Sequence, residues 1–315
     1  MLKNLIKRLS YIIFEISQGL GMFVIPIHFY VGIASTRNLR ATISRWNRPI
    51  DVSPIWMALD DNIVVLERWI SPYESEFRGN KVYKKAAGSG SGYGYIEAQA
   101  LHAFIRTTAP KRIIEIGSGV STMCMLAATA LNESEGRGGA SITCIEPHPR
   151  NRLKNLPIRL IEDVVENVEL TLFDDLEPGD LLFIDSSHAF RPCGDVQRIY
   201  LEILPRLKAG VFVHIHDIYI PYAFPRDVIS TYIQSMESAL LMAILAHSVR
   251  YEVVLCLSYL HYRAPEALKK GFPEYVPQPN NGGLGVDDNG VPLCDGTKHF
   301  PSAIYLVVHP NNERK

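Results

Sequence analysis

The stretch Arg112–Thr122, reading RIIEIGSGVST, leaves a chain few folds to choose from. Ile113 to Ile116 is an apolar run with the length of a buried parallel strand. It breaks at Gly117 and Gly119. Ser121 and Thr122 follow as N-cap candidates, and Met123 to Leu131 is rich in Ala, Leu and Met, good helix formers. Glycines let a backbone come close to a ligand, and a helix N-terminus presents free N–H groups. Strand, glycine turn and helix in that order read as a nucleotide-binding turn.

The turn also says something about which nucleotide. A dinucleotide fingerprint needs a third glycine for close helix–strand packing, and Thr122 stands in that place. Glu115, just before the turn, suits a ligand with positive charge, such as an aminocarboxypropyl group on a sulfonium. Ser141 to Ile145 is a second short strand, and Glu146 ends it, 27 positions after Gly119. An acid there can take both ribose hydroxyls.

From Arg112 onward, strands and helices alternate. The strands are expected at 112–116, 141–145, 158–161, 181–185, 210–216, 251–258 and 302–308. Helices are expected at 121–132, near 149–155, near 169–176, and at 193–206 and 226–247, with Pro192 in the first turn of the fourth. The alternation predicts an α/β fold with a doubly wound, mostly parallel, Rossmann-like sheet. Glu97 to Thr107 has a helical apolar face and precedes the first strand. Pro54 to Ile70 has helical spacing as well, and Lys84 to Tyr95, with four glycines, reads as a flexible loop placed to act as a lid.

Glu115-Ile116-Gly117-Ser118-Gly119 followed by Glu146 resembles a class I S-adenosylmethionine-dependent methyltransferase. The runs Leu182-Phe183-Ile184-Asp185-Ser186-Ser187-His188 and His214-Ile215-His216-Asp217-Ile218 narrow the resemblance to the bacterial type 24 methyltransferase family, over roughly residues 95 to 260. The resemblance implies a seven-stranded sheet closed by an antiparallel last strand, S-adenosylmethionine as cofactor, and transfer of a methyl group to an oxygen of a small-molecule or glycan acceptor. It implies cofactor contacts at Glu115, Gly117, Ser118, Gly119, Ser121, Thr122, Glu146 and Asp185. Metal-dependent relatives carry ligands at the ends of strands four and five, which gives Asp185 and Asp217 as ligands for a divalent cation such as magnesium. His216 stands where such enzymes often have an acid.

Ligands of open α/β sheets bind beyond the carboxyl ends of the strands. Asp185 and His188 lie at the fourth such end, and His214, His216 and Asp217 at the fifth. Methyl transfer needs orientation and deprotonation of the acceptor; His188 is the candidate base, with Asp185 and His216 beside it. His214 reads as a packed strand histidine. After the third strand, Val165 is placed to pack on the adenine and Glu166 or Asp163 to accept from its amine. Tyr219 and Tyr222 sit in a Pro-bounded loop at the substrate mouth.

The domain division expected is 1–95, an N-terminal helical cap or homo-oligomerisation element, and 96–315, the methyltransferase domain, with a Pro/Gly-rich insert at 261–301 shaping the substrate site. A net charge of -1 argues against a nucleic-acid footprint. Five cysteines without a Cys-x-x-Cys pair fit a reduced, cytoplasmic protein. Lys3, Lys7 and Arg8 precede an uncharged stretch, 16–36. Pro26, His28 and several small polar residues argue against a spanning helix. What remains is peripheral membrane contact or a helix and strand packed on the catalytic domain. Two other functions fit parts of the pattern: a nicotinamide-dependent oxidoreductase or epimerase, and a non-catalytic membrane-associated binding protein with a methyltransferase-like domain.

Overall fold

The computed structural model of the chain describes residues 2–52, 58–86, 89, 92–229, 231–276 and 301–310. Helices α1 (Leu2–Gly19), α2 (Thr36–Ala41), α3 (Ile43–Trp46), α4 (Leu59–Ile70), α5 (Glu74–Phe77), α6 (Lys81–Ala86) and α7 (Tyr95–Thr108) come before the sheet. Strands β1 (Arg112–Ile116), β2 (Ser141–Ile145), β3 (Arg159–Ile161), β4 (Leu181–Ile184), β5 (Phe212–His216), β6 (Tyr251–Cys256) and β7 (Ala303–Val308) form a single sheet in the order β3-β2-β1-β4-β5-β7-β6. The first five strands pair in parallel; β7 runs antiparallel between β5 and β6. The order reverses at β1, so the crevice between the ends of β1 and β4 is the topological switch point where such sheets bind ligands.

Side chains alternate across the strands, and each face has its own core. Ile113, Leu181, Phe183 and Tyr305 pack with α4, α7 and α8 (Val120–Ser134). Ile114, Ile116, Leu182, Ile184, Val213 and Ile215 pack on the other side against Ile199, Ile203 and Leu241. Helix α7 was expected to be amphipathic, but every residue from Tyr95 to Arg106 is buried. The reason is that α4 and α6 cover its outer face. Leu66, Trp69, Phe77 and Val82 of the N-terminal region thus join the core of the sheet.

Several element boundaries differ from expectation. The helix expected near 169–176 is one turn, α9 (Thr171–Asp174), and that near 149–155 is a 3₁₀ turn, Leu153–Asn155. The helix expected at 193–206 starts as α10 (Asp195–Arg198), three residues after Pro192. It widens into a π turn at Ile199–Ile203 and tightens to 3₁₀ at Leu204–Arg206. Pro205 accounts for the loosening, because it has no N–H to continue the α ladder. The helix expected at 226–247 splits into a 3₁₀ turn, Arg226–Ile229, and α11 (Glu237–His247).

Helices α12 (Leu257–Arg263) and α13 (Pro265–Gly271) open what was expected to be an irregular insert; its remainder, 277–300, lies outside the described residues. So do Ile55 and Trp56 of the stretch ahead of α4, and Gly88, Gly90 and Ser91 of the glycine-rich segment. That segment is not loop throughout: Lys84 to Ala86 close α6, and Tyr93 is buried. At the N-terminus, α1 forms, but no strand follows it. Its apolar face does not pack on the domain; Leu5, Ile12 and Ile16 stay exposed. Among the described residues no helix is long and apolar enough to cross a membrane.

Candidate functional site

The carboxyl ends of β1, β2, β4 and β5 meet at the switch point. Gly117 turns the chain after β1 with φ +100°, and a Cβ at this position would stand 2.5 Å from the backbone oxygen of Asp185. Only glycine lets the two strand ends approach so closely. The ends are laced together: Gly117 N–H donates to Ile145 O over 2.9 Å, and Asp185 N–H donates to Ile116 O over 2.9 Å. Ser118 Oγ donates to Glu146 Oε2 over 3.0 Å, and His148 N–H donates to Glu146 Oε1 over 2.9 Å. Glu146 therefore lies beside the glycine turn.

Glu115, Ser121 and Thr122, expected at the cofactor, are bonded to one another through their side chains. Glu115 is fully buried, and its carboxylate accepts from Ser121 Oγ (2.5 Å), Thr122 Oγ1 (2.6 Å) and Cys144 Sγ (3.1 Å). Burial pushes its pKa up to about 7 against the pull of these three donors. The N-cap is Gly119, whose N–H donates to Thr122 Oγ1, so Thr122 sits at the third helical position instead of capping. The trio ties β1 to α8 inside the molecule. Val165 is also interior, packed in the core beneath the sheet; its exposed neighbour is Val164. Glu166 stays partly exposed beside it, and Asp163 Oδ1 accepts from Val164 N–H and Asn167 Nδ2.

The second group gathers at the ends of β4 and β5. His188 Nδ1 is 2.6 Å from Glu237 Oε2, and its Nε2 is 3.5 Å from Asp185 Oδ1 and 3.4 Å from Asp217 Oδ2. His216 Nδ1 is 3.3 Å from Asp185 Oδ1 and 3.7 Å from Asp217 Oδ1; its Nε2 is 3.2 Å from Glu97 Oε1. Asp217 Oδ1 also accepts from Tyr219 Oη over 3.2 Å and Ser302 Oγ over 2.9 Å. Burial lowers the pKa of both imidazoles, but the carboxylates outweigh it. Asp185 and Glu237 raise His188, while Asp217, Glu97 and Asp185 raise His216. Burial raises Asp185 in turn, yet the two rings hold it well below the ordinary carboxylate range. His188 and Asp217 both have positive φ, 58° and 53°. Few non-glycine residues adopt that conformation, Asp and His more often than most, and such positions collect at functional sites.

Two acids of this group were not anticipated. Glu97 lies on α7, where its Oε2 accepts from Gly94 N–H as a helix cap, and its Oε1 reaches the site and accepts from Ser302 N–H over 2.6 Å. Glu97 supplies only the returning half of a capping box, since Gly94 has no side chain, and nothing in that pattern points to a site on another strand. Glu237 begins α11, and no local signal marks it. His214 behaves as expected of a packed histidine. It is fully buried, stacks on Phe183 at 4.4 Å, and burial pushes its pKa down to about 3.

The residues present suit both groups that the fold implies. Gly117 has no room for a Cβ, and Glu146 and the first turn of α8 adjoin the Gly117–Gly119 turn, as a nucleoside and its charged tail require. Asp185, His188 and His216 offer ligand atoms all within 4.8 Å of one another, with Asp217 adjoining. Four carboxylates surround two imidazoles there, so negative charge is in excess even with both rings protonated. That balance favours a cation.

Residues 114–218 match the type 24 methyltransferase family, described as a methyltransferase domain. An uncharacterized protein of Archaeoglobus fulgidus is 29% identical over 178 residues, which cover 52% of this chain and 78% of that one. Among solved structures, a putative O-methyltransferase from Klebsiella pneumoniae is 15% identical with a TM-score of 0.40, the alignment covering 88% of this chain and 97% of that one. The O-methyltransferase from Bacillus cereus in complex with SAH is 14% identical with a TM-score of 0.39, covering 86% and 97%. Likeness at that level adds no weight to the sheet order and the matched family.

Proposed function

We propose that this class I S-adenosylmethionine-dependent methyltransferase moves a methyl group to a hydroxyl oxygen of a small-molecule or glycan acceptor. One observation carries the reading: the glycine turn, Glu146 and the Asp185–His188–His216–Asp217 group share one crevice at the switch point of the sheet. When bound, S-adenosylmethionine supplies an electrophilic methyl group on a sulfonium. Gly117, Ser118, Gly119 and Glu146 would hold it, with Glu166 toward the adenine.

His188 is the residue we assign to the acceptor's proton. Glu237 fixes its Nδ1 side, which leaves Nε2 toward the crevice between Asp185 and Asp217. The surrounding carboxylates raise the ring's pKa, so it acts as base only from its neutral form, and they stabilise the charge it then gains on taking the proton. Asp185 and His216 position that ring, and Tyr219 is oriented by its bond to Asp217.

A second reading of the same group is favoured by the mutual closeness of its donors. Asp185, His188 and His216 would hold a divalent cation, with Asp217 beside them, and its charge would lower the pKa of an acceptor hydroxyl. A set with two imidazoles suits a transition ion better than magnesium. Assays with and without a chelator separate the readings. Full activity in excess chelator leaves the work to His188 alone.

A cytoplasmic setting is proposed on the strength of the free cysteines Cys124, Cys144, Cys193 and Cys256. The test of the function is calorimetric titration with S-adenosylhomocysteine and, separately, NAD. Binding of the first only is expected; binding of NAD only would sink the proposal.

A further inference from the structure

The N-terminal segment has two properties that the methyl-transfer site does not use. The first is an unpartnered apolar face. Leu5, Leu9, Ile12, Ile13 and Ile16 recur at three- and four-residue steps along α1 and fall on one side, while Lys7, Arg8, Glu15 and Gln18 fall on the other. All five apolar side chains are at least half exposed. The exposure continues past the helix through Phe23, Ile27, Phe29 and Tyr30, with Phe29 91% exposed. So many exposed large apolar side chains in one segment of a folded chain mark an interaction site.

The second property is charge. Residues 1–50 hold seven of the 32 basic side chains and one of the 33 acidic ones, a net charge of +6 in a chain whose total is -1. Lys7, Arg8, Arg37, Arg40, Arg45 and Arg48 are all exposed, and none takes part in the ion pairs recorded among the described residues. Apolar face and positive charge therefore coincide in one segment, while the remainder of the chain is acidic.

The segment is fastened to the acceptor side of the site. Ala34 N–H donates to Gln234 Oε1 over 2.9 Å, and Gln234 Nε2 donates to Ala34 O over 2.8 Å. Ile50 N–H donates to Pro221 O over 2.8 Å, and α2 packs on the 3₁₀ turn Arg226–Ile229. The same stretch, 217–237, carries Asp217, Tyr219 and Glu237, and Met236 N–H donates to His188 O over 3.1 Å. Tyr232 and Ile233, next to Gln234, are exposed.

We propose that residues 2–50 are a peripheral anchor for an anionic lipid surface, and that they hold the acceptor-side loop against that surface. The helix lies in the interface with its apolar face among the acyl chains and does not span the bilayer. The arginines of α2 and α3 meet the anionic headgroups. A second copy of the chain fits the face less well, since two segments of charge +6 would repel each other. Resting on the methyltransferase reading, the acceptor class is then a hydroxyl-bearing molecule that resides in or on the membrane.

The test is sedimentation of the full chain with vesicles of phosphatidylcholine alone and with added phosphatidylglycerol. Binding is expected only with the anionic lipid, falling as salt rises. The Leu9→Asp/Ile13→Asp variant, changed only at exposed positions, should lose vesicle binding at least tenfold. A Tyr232→Trp variant should show emission quenched by brominated anionic lipid beyond the quenching of the wild-type chain, which already carries Trp46 in the anchor. Equal sedimentation with both lipids, no loss in the double variant, or no quenching at position 232 overturns the proposal. So does a dimer that the double variant breaks without any lipid binding. S-adenosylhomocysteine titration of the double variant separates the two claims: affinity should be unchanged. A wild-type chain that sediments with anionic vesicles but binds no S-adenosylhomocysteine refutes the methyltransferase reading and leaves the anchor standing.

Discussion

Ser118 Oγ stands 3.0 Å from Glu146 Oε2, and this hydrogen bond joins the glycine turn after β1 to the end of β2. The two residues follow different strands, and parallel pairing of β1 with β2 in register Ile116↔Ile145 brings them together. A ribose that reaches Glu146 must replace Ser118 or share the carboxylate with it. Glu146→Ala is expected to weaken S-adenosylhomocysteine binding by at least tenfold, since hydrogen bonds to a charged group contribute about 1.5–3 kcal/mol. Its melting temperature should change little, because Glu146 is partly exposed. Calorimetry and a thermal melt of the same sample check both halves.

Gly117→Val should lose S-adenosylhomocysteine binding altogether and unfold at lower temperature. The added Cβ would meet Asp185 O, which is backbone and cannot swing away, and the residue's φ of +100° disfavours any side chain. Retained binding with a normal melt would show that β1 and β4 need not approach so closely.

Removing His188 should cost stability as well as activity. Glu237 is fully buried, and His188 Nδ1 stands 2.6 Å from it. His188→Ala leaves that carboxylate uncompensated, and breaking a buried pair costs about 3–5 kcal/mol. Adding Glu237→Gln to it removes the stranded charge, so the double variant should recover part of the loss. Urea unfolding of the three proteins measures it, and a double variant less stable than His188→Ala would contradict this account.

Metal addition offers a separate readout. After chelator treatment, a transition cation at a hundredfold excess over its Kd should raise stability by about 2–3 kcal/mol. Asp185→Asn and His216→Ala should abolish the rise. Thermal melts with manganese, zinc and magnesium compare the ions. No shift with any of them would leave His188 without a metal partner.

Glu115 should make stability depend on pH. Its folded pKa is pushed up to about 7 from 4.5 by burial. Between those values the unfolded chain releases a proton that the folded chain keeps, so stability falls as pH rises. The contribution is complete below 4.5, is lost through 7, and is on the order of 3 kcal/mol. Glu115→Gln should flatten that slope. Urea midpoints from pH 5 to 8 measure it, and equal slopes in the two proteins would contradict the assignment.

RIIEIGSGVST already implied the switch-point crevice, because an apolar run, two glycines and a helix former dictate strand, turn and helix through local physics alone. Alternation after Arg112 likewise implied a doubly wound sheet, and Asp185, His188, His216 and Asp217 stood at strand ends where the fold had to bring them near one another. What the chain does with Glu115, Glu97 and Glu237 was not readable. Glu115 is expected beside the cofactor; what its sequence position does not show is that its side chain is buried and bonded to Ser121, Thr122 and Cys144. Glu97 and Glu237 come to the site from helices 119 and 21 residues away from His216 in sequence, because α7 and α11 dock on opposite faces of the sheet. Local sequence encodes period and turn; which distant carboxylate ends beside which imidazole is decided only when the layers pack.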